Sequence, residues 1–528
     1  MKQRILRGRY AAMAGVLLIV GSMGVVVSSA SAASAASPAS VTVTGAGSTW
    51  DQIATAQWIS DVYAKYGLRI NYQGVGSSAG RQFYIQNQVD FADSDIPFDT
   101  TPGNDEVAQL ESEHKTWQYA PTVAGATGIM YNLKTPSGQR ITNLRLDSRA
   151  LEGIFTGTIT SWRDPIIMSQ NPQLASVMPN ANIIPVVRAD GSGTSAMFSN
   201  YLDQLQPSLW KSFCQKYQIP ADECSVVSYW PLTIPGAVAQ KGSDGVANYV
   251  SQQANSVCYV ETGYAIERRF PVALVKNQSG NYVFPSSQND ATALTHAAIQ
   301  KDLISNLTGV HFAPERNAYP ISGYSYLITP TALGFGFTDA KGAVLGKFML
   351  YMACAGQQKA APLGYSPLTP VLVRGVFAAI RRVPGAAPPP PLNAQTCPNP
   401  TLTGQGSGGG LQGNPGGGGG GGGDGGGGGN GGGGGTTSTN GNGGTTSTTG
   451  PTDPTTVGAI GATAPPTTGV VLTVSEAEAR RAATLRAVGA VHPSSKGPLV
   501  FAALDVLAFA LFPWVVWRRR RSRRTITP

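Results

Sequence analysis

Histidine is scarce in this chain, with four in 528 residues. There is no HExxH, no CxxC and no paired-His spacing, so structural zinc and metalloprotease chemistry are not expected, and no other cofactor is implied. Charge is scarce too: Asp, Glu, Lys and Arg make up 13%, against about a quarter in an average globular domain. The formal +9 is misleading, because Lys2, Arg4, Arg7 and Arg9 open the chain and Arg518, Arg519, Arg520, Arg521, Arg523 and Arg524 close it. Without those ten cations the balance is −1. A nucleic-acid partner is therefore excluded, since counterion release needs clustered cations on the folded part. No Cys follows the first apolar run, which removes the usual lipid attachment, and no LPxTG precedes the last one, which removes sortase anchoring.

What is abundant is glycine, 66 residues, and proline, 37. Much of the glycine lies in a linker, 401–474, whose Gly, Asn, Thr and Ser cannot bury enough apolar surface to fold. Its ~50 Gly-rich residues span roughly 40 Å on average. The first 36 residues read as an export signal, with a basic start, an apolar run and Ala-Ser-Ala cleavage sites. At the far end, residues 499–517 are apolar except for Asp505. At ~1.5 Å per residue that is long enough to cross a ~30 Å hydrocarbon core. The basic tail 518–528 then stays cytoplasmic, and Trp514 and Trp517 fit the interfacial belt. A juxtamembrane segment, 475–498, carries helical spacing behind Ser475. The expected protein is exported and held at the cell surface by one C-terminal span.

Five cysteines in an exported chain suggest two disulfides and one thiol. Cys214 with Cys224 and Cys354 with Cys397 are the expected pairs. Cys258, in an apolar strand pattern, is the expected buried thiol.

The body, 37–400, alternates strands with helices. Val41–Gly47 runs into Ser48-Thr49-Trp50 and a helix to Lys65. Leu68–Gln73 enters Gly74–Gly80 and a helix from Arg81, and Asp90–Asp95 is a strand ending in acids. Ile183–Arg188 enters Ala189–Ser195 and a helix from Ala196. This order predicts a parallel α/β sheet with its ligand site at the carboxyl ends of the strands. In three of these loops hydroxyl residues sit among glycines before a helix, which aims amides, hydroxyls and a positive helix end at one spot. Arg188 adds a fork of donors suited to an oxyanion. Asp95 would repel an anion unless the anion brings a proton, so it selects a protonated oxyanion such as hydrogen phosphate over sulfate.

The segments TGAGSTW (Thr44–Trp50), NYQGVGSSAG (Asn71–Gly80), VDFADSDIP (Val89–Pro97) and VVRADGSGTS (Val186–Ser195) resemble the phosphate-binding protein of the bacterial phosphate ABC importer. PTVAGATGIMYNL, IFTGTITSWRDP, SVCYVETGYA and YPISGYSYLI add matches in the same order across roughly residues 40 to 382. The resemblance implies a two-lobed periplasmic-binding-protein fold, type II-like, with two crossovers near Ala120–Ala126 and Tyr319–Gly323. One lobe would comprise about 40–122 and 321–384, the other about 123–320. It further implies that phosphate is gripped by Thr49, Trp50, Ser77, Asp95, Arg188, Ser192, Gly193 and Thr194, with Asp190 orienting Arg188. Trp50 stands where the family usually has Phe. A phosphate permease in the membrane would be the partner of a monomeric binding protein that performs no chemistry. Two other readings remain: Gly76–Gly80 fits G-x-S-x-G with Ser78 as a hydrolase nucleophile, and the binding fold could be reused for adhesion or sensing.

Overall fold

The computed structural model describes residues 41–404. The expected signal segment, nearly all of the Gly-rich linker, the juxtamembrane segment and the apolar span 499–517 lie outside the described residues. Among the described residues no helix is long and apolar enough to cross a membrane.

The body is α/β and two-lobed. Strand β1 (Thr42–Gly47) is followed by helix α1 (Gln52–Tyr66), which stops at Gly67, where a left-handed φ of 68° closes the helix. β2 (Arg69–Gly74), α2 (Ser77–Ile85) and β3 (Phe91–Ser94) follow. Each helix returns the chain to the edge it left, so β2 and β3 pair in parallel on either side of β1. The second half-sheet is built from β4 (Trp117–Tyr131), β5 (Ile184–Arg188), α3 (Gly193–Leu205), β6 (Val238–Gln240), α4 (Gly242–Gln252), β7 (Ser256–Glu261) and α5 (Thr262–Arg268). The chain then returns through β8 (Ser322–Pro330), α6 (Asp339–Ala353), β9 (Tyr365–Ser366) and α7 (Pro370–Ile380).

These strands form one nine-stranded sheet in the order β2-β1-β3-β8-β4-β7-β5-β6, with β9 on β4. The 15-residue β4 joins its halves. It pairs with β8 from Trp117 to Ala126 and with β7 from Thr127 to Tyr131. Two apolar cores result. One gathers Trp58, Phe91, Phe348 and Phe377, the other Phe155, Phe198, Trp210, Trp230 and Tyr259. In the second, Phe198 stacks on Tyr259 with ring centroids 4.8 Å apart, and each ring contributes roughly 1.5–3 kcal/mol through burial alone.

Two disulfides form as expected, Cys214–Cys224 and Cys354–Cys397, and Cys258 is a buried thiol whose ionisation burial pushes up. The second bridge ties the segment after α7 to the end of α6. Its span of 43 residues is worth about 4 kcal/mol of unfolded-state entropy.

Two of the helices at the strand ends start earlier than the sequence pattern places them, whereas α1 starts at Gln52 rather than Trp50. α2 begins at Ser77 rather than Arg81, because Gly76 makes the turn in one residue at φ 94°. α3 begins at Gly193 rather than Ala196, because the Ser192 side chain caps it by accepting from the Ser195 amide at 3.1 Å. Ser77, Gly193 and Thr194 thus lie in first helical turns instead of loops.

Candidate anion-binding site

The segments just past the carboxyl ends of β1, β2, β3, β5 and β6 meet at one place. β1 ends at Gly47, where a Cβ would lie 1.9 Å from the Asp93 carbonyl, so only glycine lets this strand pack so closely on β3. The turn that follows is pinned by tyrosines on three consecutive carbonyls. Tyr72 from β2 donates to the Ser48 carbonyl at 2.7 Å, Tyr264 from α5 to that of Thr49, and Tyr365 from β9 to that of Trp50 at 2.7 Å. Fixing the carbonyl side of these peptides fixes the amide side as well.

Across the cleft, α2 and α3 bring their N-termini to the same place. Ser78 N–H donates to the Gly191 carbonyl at 3.3 Å. A Cβ on Gly193 would sit 2.4 Å from Asp95 Oδ2 and 2.6 Å from Ser77 Oγ, so the first turn of α3 packs directly on the acid. The unpaired amides of two first turns make this spot electropositive without a metal. Among the described residues no group of three or more His, Cys, Asp or Glu is arranged to hold a metal ion.

Asp95, Arg188 and Asp190 supply the charges. Asp95 Oδ1 accepts from Ser48 Oγ and Ser325 Oγ, both at 2.7 Å, and Oδ2 from Ser77 Oγ at 3.1 Å. Burial pushes this carboxyl up, against the pull of those three hydroxyls and of Arg188. Arg188, 2% exposed, is held in a fork by Asp190, Nε to Oδ1 at 2.8 Å and Nη2 to Oδ2 at 2.5 Å. Its Nη1 reaches Thr194 Oγ1 at 3.3 Å. Asp190 also accepts from the Gly242 amide at 2.9 Å. Burial works against its charge, yet these donors hold it below the usual carboxylate range. A rigid, desolvated guanidinium near a carboxylate that keeps one acceptor place open on Oδ2 suits an anion that needs donors on most of its oxygens and one acceptor.

The structure brings together Thr49, Ser77, Asp95, Arg188, Asp190, Ser192, Gly193 and Thr194, all expected from the sequence. Thr49 Oγ1 bonds Ser243 Oγ at 3.0 Å and accepts from the Ser243 amide at 3.1 Å. Trp50 takes a structural position. Its amide donates to Ser48 Oγ at 2.9 Å, its indole N–H to Thr127 Oγ1 at 3.2 Å, and its ring meets Tyr365 edge-on. Sequence reasoning missed Ser48, Ser325 and Ser243. Ser243 had a signal, since Lys241-Gly242-Ser243 is a fourth Gly–Ser turn between a strand and a helix; Ser325 had none beyond its place in a matching segment. No body histidine bonds Ser78, whose Oγ has no hydrogen-bond partner: His114 is exposed, His296 pairs with Glu315, and His311 bonds the Pro320 carbonyl and Asn200.

Residues 32–355 match the PBP superfamily domain. The phosphate-binding protein PstS of Xylella fastidiosa is 32% identical over 348 residues, covering 64% of this chain and 85% of that protein. PstS of Haemophilus influenzae is 31% identical over 291 residues, covering 54% and 77%. A solved phosphate-binding protein from Stenotrophomonas maltophilia is similar at 19% identity and a TM-score of 0.47, over 68% of this chain and 98% of that one.

Proposed function

This chain belongs to the phosphate-binding proteins of the PBP superfamily, and we propose that it takes hydrogen phosphate into the cleft between its lobes by the residues named above. The protein binds inorganic phosphate for ABC import. The observation that carries the site assignment is Asp95, buried, with both acceptor places of Oδ1 filled by hydroxyls and one left open on Oδ2, set against the first turn of α3 and in the field of a forked Arg188. Phosphate's remaining proton would go to Asp95 Oδ2. Its other oxygens would take the hydroxyls of Thr49, Ser77, Ser192 and Thr194, the first-turn amides including Gly193, and the Arg188 guanidinium.

Closure is read from contacts that join segments on the two sides of the cleft: Ser78 to Gly191 and Thr49 to Ser243. The lobes of this reading are about 40–122 with 321–384, and about 123–320. The partner change within β4 and the start of β8 serve as its hinges. The protein acts as a monomer, performs no chemistry and passes phosphate to a separate membrane permease. It is exported by the segment 1–36 and held by the apolar span 499–517.

The test is a calorimetric titration of the phosphate-free full chain at neutral pH. One-to-one phosphate binding with no sulfate signal is expected. Absence of phosphate binding by folded, ligand-free protein would remove the assignment.

A further inference from the structure

Trp50 is attached on one side to the anion site and on the other to the middle of the long strand β4. On the first side its amide donates to Ser48 Oγ at 2.9 Å, and Ser48 Oγ donates in turn to Asp95 Oδ1 at 2.7 Å. Its carbonyl accepts from Tyr365 at 2.7 Å. The indole, with no exposed surface, reaches β4. A Cβ on Gly125 would sit 3.0 Å from the ring's Cη2, so only glycine lets the strand lie this close to the ring. The ring N–H donates to Thr127 Oγ1 at 3.2 Å.

Thr127 stands where β4 changes partner. Ala126 pairs with Ser322 of β8, and Thr127 with Glu261 of β7. The Thr127 amide donates to the Ile321 carbonyl at 2.9 Å, and its carbonyl accepts from Tyr319 at 3.0 Å. With both backbone groups engaged and a branched, stiff side chain, its hydroxyl cannot turn to follow a moving ring. In the two-lobe reading Trp50 lies in the segment 40–122 and Thr127 in 123–320. The indole bond therefore joins the lobes at the hinge itself.

Thr127, Trp50, Ser48 and Asp95 thus form one continuous path from the hinge to the acid that faces the anion. We infer that Trp50 is a positioning residue that couples lobe closure to the grip on phosphate. In the closed arrangement its indole is held by Thr127, which seats the turn so that Ser48 fills Asp95 Oδ1 and leaves Oδ2 to the anion. Opening at the hinge carries Thr127 away from the indole, and the turn loses that support. The inference rests on the phosphate and two-lobe reading of the cleft. A bond made only in the closed state favours that state by its own strength. It holds the lobes shut around the ligand and contributes nothing to the first encounter, so its removal acts on release rather than on association.

The experiment measures release of radiolabelled inorganic phosphate from the full chain into excess unlabelled phosphate, and association by rapid mixing. It compares wild type with Trp50→Phe, Thr127→Val, Thr127→Ser and the double change of Trp50→Phe with Thr127→Val. Phenylalanine keeps an aromatic ring in the seat without the N–H, valine keeps the branched shape without the hydroxyl, and serine restores the hydroxyl. Release should be about three- to tenfold faster in the Phe and Val variants, as one neutral hydrogen bond is lost, with association unchanged. Thr127→Ser should release phosphate at close to the wild-type rate. Both single changes remove the same bond, so the double variant should release no faster than the faster of the two. A side chain that only supports the fold would lower the unfolding temperature and leave the two rates alone. Unchanged release in the folded variants, a loss confined to association, additive effects in the double variant, or a Ser variant no slower than Val would each overturn the inference and leave the phosphate reading intact. If Trp50→Phe does not fold, the Val and Ser variants decide; if Thr127→Val does not fold, Trp50→Phe against wild type decides. Failure of wild type to bind phosphate would remove that reading, and the inference with it.

Discussion

Replacing Asp95 by Asn should convert a phosphate-selective site into one that accepts sulfate. In the wild-type site the Asp95 carboxylate is 5% exposed. Its Oδ1 is filled by Ser48 and Ser325, so Oδ2, beside Gly193 and Ser77, is the oxygen left to face the anion. Hydrogen phosphate offers that oxygen a proton. Sulfate offers none, and a buried charged acceptor left facing another acceptor costs about 3 kcal/mol or more, roughly a hundredfold in affinity. In the amide variant the remaining oxygen keeps the Ser48 and Ser325 hydroxyls, and the new NH₂ donates both to the anion and to Ser77 Oγ. Sulfate affinity should therefore rise about a hundredfold. Phosphate should weaken by ten- to a hundredfold, as one charge-assisted bond of ~1.5–3 kcal/mol is exchanged for a neutral one. Calorimetric titration with each anion at neutral pH and fixed ionic strength measures both changes. If the variant still binds phosphate but shows no sulfate signal, selection by the carboxylate is refuted, and discrimination must lie in the donor shell.

Two further outcomes test neighbouring parts of the argument. Gly193→Ala should abolish measurable phosphate binding, because its Cβ would sit 2.4 Å from Asp95 Oδ2 and 2.6 Å from Ser77 Oγ; the overpacking itself costs only about 1–3 kcal/mol of stability, so binding and thermal unfolding should separate, and retained affinity would disprove the tight seat of α3 on Asp95. His311 is 2% exposed, and burial pushes its pKa down to about 4, only partly opposed by its bond to the Pro320 carbonyl. Its neutral form is favoured in the fold, so its contribution is present above the unfolded value near 6.5 and is lost as pH falls toward 4. Urea unfolding at pH 7 and pH 4 should show a loss of about 3 kcal/mol that a His311→Gln chain lacks; equal losses in both would place the acid sensitivity elsewhere.

The strand, loop and helix order and the glycine–hydroxyl loops were legible because local sequence controls them. Gly76 and Gly193 mark places where a side chain is not tolerated, and Ser77, Asp95 and Arg188 follow from their positions at strand ends. The early starts of α2 and α3 were not legible, since they depend on one positive φ and one capping hydroxyl that spacing alone does not reveal. The disulfide partners were readable from an exported chain with few cysteines. Ser325 and the three tyrosines were invisible, each lying in an ordinary apolar strand or helix. Trp50 was named as a backbone contact through the family resemblance, whereas here its amide donates to Ser48 Oγ and its indole N–H to Thr127 Oγ1. Asp51 was not singled out, and Asp93 was read only as part of a strand ending in acids.

By itself, the sequence determined the units: which segments are strands, which loops carry donors, and which charges could meet an oxyanion. These are short-range matters of periodicity, backbone freedom and side-chain chemistry. Tertiary structure decided how the donors are saturated. β8 returns from more than 200 residues away to lie beside β3, bringing Ser325 between Asp93 and Asp95. Burial in that setting pushes Asp51, Asp93 and Asp95 all up from the ordinary carboxylate range. Neither the bridge nor the desolvation of these acids is a property of any single segment.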